Sequence, residues 1–235
     1  MKTLNPWAAA IVTATLLSPT ALFAVTIGQT DNFEDGTTQN WVINLLGMGS
    51  PPPSTFPTNV TTGGPSGAGD NYLLLNSSGN PGPGGRLVAI NFNNQWKGNY
   101  IAAGVNALTM NVNNFGSTTL SLRLEFADPV AGPPADQAVS TTPVLVPAGS
   151  GWRTVLFPID PSFLTAETGN VIAALTNATE LRILNSPTLG VVPQVAASLG
   201  VDNITAASIP EPATSICLAL GLASLLSTKV RRNRE

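Results

Sequence analysis

The chain has 235 residues, a net charge of −3, no histidine and a single cysteine, and only 10% of its residues are charged. The missing histidine removes Ser-His-Asp and Cys-His catalysis and histidine-ligated metals. One cysteine rules out an intrachain disulfide, and the acidic balance disfavours nucleic acid.

At the N-terminus a basic Lys2 precedes an apolar run from Trp7 to Leu17, broken by Ser18-Pro19-Thr20 and followed by Ala21-Leu22-Phe23-Ala24. This layout predicts a secretory signal peptide over residues 1–24, with cleavage after Ala24, because the run is too short to span a bilayer.

From residue 25 to 207 the sequence alternates with period two, as strands with one buried face do. Leu120, Leu122, Leu124 and Phe126 share one parity, and Ser121, Arg123 and Glu125 share the other. Leu108, Met110 and Val112 alternate with Thr109 and Asn111. Leu87 to Phe92 predicts a strand buried on both faces, and Trp152 opens an alternating strand as a buried residue. A short helix is expected near residues 166–177. Gly/Pro/Ser/Thr-rich segments at 47–70, 128–147 and 186–196 read as long loops. Eight to ten short strands in this order predict an all-β sandwich.

Two aromatic groups stand out as sugar-stacking candidates, because the apolar face of a pyranose packs on an aromatic ring. Trp96 and Tyr100 flank the polar turn Lys97-Gly98-Asn99 and are expected to be exposed, with Asn99 as a hydrogen-bonding neighbour. Carboxylate pairs such as Glu34 with Asp35 leave a glycoside hydrolase as a minor alternative.

Asp31-Asn32-Phe33-Glu34-Asp35-Gly36 lies near the start of this region and Leu199-Gly200-Val201-Asp202-Asn203-Ile204 near its end. That arrangement resembles carbohydrate-binding-module jelly rolls of the galactose-binding type and, more loosely, laminin-B-type domains. The resemblance implies that the opening and closing strands pair in one sheet. It also implies a structural calcium held by Glu34, Asp35 and Asp202, and extracellular polysaccharide as partner, without catalysis. A structural or adhesive matrix protein with no defined ligand is the alternative.

The chain closes with Pro210-Glu211-Pro212, an apolar stretch over residues 213–228, and Lys229, Arg231, Arg232 and Arg234. As a helix the stretch reaches about 24 Å, short for the hydrocarbon core yet feasible with snorkelling basic residues. The basic end belongs in the cytoplasm, which leaves the preceding domain outside. Residues 208–235 together resemble the PEP-CTERM sorting tail of Gram-negative bacteria. The resemblance implies recognition of Pro210, Glu211 and Pro212 by an exosortase-type membrane protease. It implies anchoring in the inner membrane before processing, then delivery to the cell surface or extracellular matrix.

Overall fold

The computed structural model describes residues 25–43, 50–128 and 134–209. The signal peptide and the sorting tail expected from the sequence lie outside the described residues. Among the described residues no helix is long and apolar enough to cross a membrane.

Thirteen strands follow one another: β1 (Thr30–Asp31), β2 (Trp41–Ile43), β3 (Thr58–Val60), β4 (Tyr72–Ser78), β5 (Val88–Asn91), β6 (Ala107–Asn114), β7 (Leu120–Asp128), β8 (Asp136–Ser140), β9 (Val144–Val146), β10 (Arg153–Pro158), β11 (Leu164–Thr168), β12 (Glu180–Asn185) and β13 (Ala196–Ala207). A six-residue helix, α1 (Val171–Thr176), separates β11 from β12. Asn170 caps it by accepting from the backbone of Ile172 and Ala173.

The strands form two antiparallel sheets. The first runs β10-β6-β13-β4-β3, with β1 beside β13; the second runs β11-β8-β7-β12-β5-β2, with β9 beside β7. The expected pairing of opening and closing strands is present, since Thr30 faces Thr205 and Asp31 faces Ile204. The alternation seen in the sequence becomes inward and outward faces. Leu120, Leu122, Leu124 and Phe126 of β7 meet Leu108, Met110 and Val112 of β6 in one buried core. Burial of these alternating side chains is the main force holding the sheets face to face.

Several expectations need correction, among them the loop expected over 47–70, which contains β3 paired with β4. The loop expected over 128–147 contains β8 and β9, whose residues pair with β7. The helix expected over 166–177 is shorter, because Leu164–Thr168 pairs with β8 first. In β10 it is Val155 and Phe157 that enter the core, so Trp152 falls on the outward parity.

One polar tie crosses the sandwich. The Asp31 carboxylate is buried; its Oδ2 accepts from Trp41 Nε1 at 2.7 Å and from Trp96 Nε1 at 2.8 Å. Its Oδ1 accepts from Gln95 Nε2. Burial raises the Asp31 carboxyl above the ordinary range, and the indole hydrogen bonds pull it partly back. Asn keeps one acceptor oxygen for both indoles without the buried charge, and Gln95 can turn its own amide oxygen to the new N–H, whereas Leu leaves two indole N–H groups unpaired. Asp31→Leu is therefore expected to cost about 2–5 kcal/mol in urea unfolding, with Asp31→Asn close to neutral. Equal losses in both variants contradict the assignment.

Candidate functional site

The aromatic platform expected at Trp96 and Tyr100 does not exist. Both side chains are 0% exposed. Trp96 spends its N–H on Asp31, and the Tyr100 hydroxyl donates to the Trp96 carbonyl at 2.8 Å. The Tyr100 ring stands edge-on to Phe126, with centroids 4.9 Å apart. Asn99 accepts from the Ala102 backbone and shapes the same turn. Polar Lys97-Gly98-Asn99 sits between two aromatic residues that both belong to the core.

The calcium trio is not assembled either. Asp35 turns both carboxylate oxygens onto Thr37, and Glu34 accepts from the Asn71 N–H at 2.9 Å. Asp202 accepts from the backbone and side-chain amides of Asn203. Among the described residues no three His, Cys, Asp or Glu side chains converge to hold a metal. Calcium takes six to eight oxygens, so this donor set as built does not fit it. What the structure does bring together is charge. Asp202 is 1% exposed, and burial, with Asp70 and Glu34 nearby, pushes its carboxyl up to about 7.

Exposed aromatic surface lies elsewhere, on the outward face of the first sheet. Tyr72, Phe115 and Trp152 pack mutually, with centroid separations of 5.2–6.1 Å. They cover Gly200, where an added Cβ meets Trp152 at 2.7 Å and Phe115 at 2.9 Å. Trp152 Nε1 also donates to the Gly63 carbonyl at 2.8 Å. A glycine inside a strand marks such a close approach, and Gly200 was the signal in the sequence.

A second polar assembly lies on the outward face of the second sheet. Cross-strand pairing places Thr165, Val139, Glu125, Arg182, Ile90 and Val42 in one row across six strands. Arg182 forks between two carboxylates: Nη1 donates to Glu125 at 2.5 Å, while Nε donates to Glu180 at 2.8 Å and Nη2 to the same carboxylate. Arg123 donates to the carbonyls of Ser186, Ser140 and Thr141 at 2.5–2.7 Å. Glu125, Glu180, Arg123 and Arg182 are all buried, although they face away from the core. Burial raises the Glu125 carboxyl and the Arg182 charge opposes the rise.

Residues 186–195 roof this assembly. The segment leaves β12, bonds to β7 through Ser186 N and the Ser121 carbonyl at 2.8 Å, and meets β11, where the Gly190 N–H donates to Glu167 Oε1 at 3.0 Å. Gln137 donates to the other Glu167 oxygen at 3.0 Å. Residues 187–191 are exposed, and their outermost turn closes on itself through Val191 N to Thr188 O at 3.1 Å. The segment is tied at both ends: besides the bond to Ser121, the Ser186 carbonyl accepts from Arg123 at 2.7 Å, while Val195 N donates to the Gly85 carbonyl at 3.0 Å. The sequence showed Arg123 and Glu125 only as the outward parity of a strand; Arg182 and Glu180 carried no motif.

Solved structures match this architecture. The family 11 carbohydrate-binding module of Clostridium thermocellum, determined in complex with a β-1,3-1,4-mixed-linked tetrasaccharide, superposes with a TM-score of 0.50 at 13% identity, covering 80% of this chain and 99% of that one. The fold is a jelly-roll β-sandwich like that of the module. The family 11 module of the cellulosomal cellulase Lic26A-Cel5E from the same organism gives 0.50 at 10% identity, over 81% of this chain and 99% of that one. An exo-β-agarase gives 0.54 at 12% identity, over 80% of this chain but only 26% of its own length. No protein-family model matches the sequence, and no curated protein matches it.

The raised Asp202 carboxyl has a consequence for stability. The folded chain keeps this proton at higher pH than the unfolded chain, whose carboxyl titrates near 3.8. Stability is therefore lost as pH rises from that value through about 7. Asp31 and Glu125, also raised, act in the same sense. The thermal midpoint is expected to fall from mildly acidic pH toward about pH 8, and Asp202→Asn is expected to flatten that fall. Parallel pH profiles for the two proteins contradict the assignment.

Proposed function

We propose that this chain is an exported, surface-sorted glycan-binding protein that grips carbohydrate on the outward face of its second sheet, beneath residues 186–195. The observation that carries the reading is the burial of Arg123, Glu125, Glu180 and Arg182 on a face turned away from the core. A buried ion cluster adds little to stability, since apolar residues of similar volume serve as well. Its retention points to a ligand. Planar guanidinium forks and carboxylates present the donors and acceptors that vicinal sugar hydroxyls require. Gln137 and Glu167, at the rim, offer further partners. Carbohydrate as the ligand class is also supported by the tetrasaccharide bound to the matched module. The two buried glutamates share one guanidinium instead of forming a free acid and base, which favours binding over catalysis.

The outward face of the first sheet supports a second reading. Phe115 and Trp152 offer partly exposed rings there, beside Asn111 and Thr154. Affinity electrophoresis against a panel of β-glucans and algal polysaccharides separates the two. Gln137→Ala and Glu167→Ala are each expected to weaken retention about tenfold, and Trp152→Ala to leave it unchanged. Loss confined to Trp152→Ala moves the site to the first sheet. Retention of the native protein on no polymer favours the structural matrix role.

Sorting through Pro210, Glu211 and Pro212 by an exosortase-type protease belongs to the same proposal. Its support is the order of tripeptide, apolar stretch and basic end. Replacing the three residues by alanine is expected to keep the protein at full length in the inner-membrane fraction, where the native chain is shortened. Normal processing of the variant contradicts the sorting role.

A further inference from the structure

The two ends of the described domain emerge at the same end of the sandwich. Val25 donates to the Lys97 carbonyl at 2.9 Å, and Gly28 donates to Ala206 at 2.8 Å. Asn106 clamps the last described residue from both sides: Ile209 N donates to its Oδ1 at 2.6 Å, and its Nδ2 donates to the Ile209 carbonyl at 2.9 Å. Ile209 therefore has a fixed place beside the turn of residues 99–104.

That end is apolar. Ile27, Ile101 and Ile209 are 54%, 45% and 38% exposed. A groove of about 370 Å³ opens among Val25, Ile27, Asn99, Ala102 and Ala103. Residues 25–30, 97–107 and 205–209 contain Lys97 and no Asp or Glu, while Asp160 stands beside them, next to Ile159, whose N–H donates to the Asn106 carbonyl at 2.9 Å.

Chain length then limits the occupant. Four peptide steps separate Ile209 from Ala213, where the apolar stretch begins. Fully extended, they span at most about 14 Å. If residues 213–228 enter the bilayer, the clamped end of the domain cannot stand clear of the headgroups. We infer that the Ile27–Ile101–Ile209 end of the sandwich is a membrane-contact surface that rests on the lipid headgroups while the tail is inserted. The inference rests on the tail reading above. It adds an orientation: the strands stand roughly upright, and both outward sheet faces are held off the bilayer.

The test uses the full chain with Cys217→Ser, carrying one new cysteine labelled with an environment-sensitive fluorophore. The label is placed at Ala102 in the apolar end, or at Ala148 beside Gly149, which pairs with Asn114 at the far end of β6. The protein is reconstituted into phosphatidylethanolamine/phosphatidylglycerol vesicles containing a nitroxide lipid. Flotation with the vesicles reports tail insertion separately from quenching. The expected result is flotation of both proteins, with quenching several-fold stronger at Ala102. Adding Ile27→Ser and Ile101→Ser is expected to preserve flotation and abolish the difference. Equal quenching at the two positions in floating protein overturns the contact surface while leaving the tail reading intact. A difference that survives the serine substitutions shows tethering alone and overturns the role of the isoleucines. Failure to float removes the tail reading, and the orientation with it.

Discussion

The sandwich is organised around a carboxylate that serves two indoles. Asp31 sits on β1 in the first sheet, Trp41 on β2 in the second, and Trp96 in the segment between β5 and β6. A single oxygen accepts from both rings, so three distant stretches of chain are fixed relative to one another. Tyr100 then hangs from the Trp96 carbonyl and meets Phe126 of β7. Removing water from a carboxylate is costly, and the three donors offset that cost. A polar tie of this kind selects one register among the many that apolar alternation tolerates.

With the aromatic rings spent on the core, the two outward faces differ in character. The first is open and rich in Asn and Thr, with Tyr72, Phe115 and Trp152 shielding the bare backbone at Gly200. The second carries a linked set of charges beside residues 186–191. The first resembles a solvated sheet surface with a hydrophobic patch; the second resembles a site whose partners are prepaired with each other until a ligand replaces them.

Strand periodicity was readable because β6 and β7 alternate over long runs, and the pairing of the two motif-bearing ends followed from their resemblance to known jelly rolls. Short strands were not readable. β8 and β9 are five and three residues long, inside a stretch dense in Pro and Gly, and only pairing to β7 orders them. Exposure was misjudged at Trp96 because its hydrogen-bond acceptor is 65 positions away in sequence. The error at Trp152 was one of parity, since Val155 and Phe157 claim the inward face. Arg182 and Glu180 are two residues apart on one strand, and only the alignment of β12 with β7 shows that Glu125 completes the cluster.

Hydrogen–deuterium exchange of the full chain, with and without a saturating oligosaccharide drawn from a retained polymer, reads the location of the site directly. Binding on the second sheet predicts slowed exchange at Gln137, across residues 165–168 and through 186–191, with no change at 111–115 or 150–154. Protection confined to 111–115 and 150–154, with residues 186–191 exchanging as before, contradicts the account.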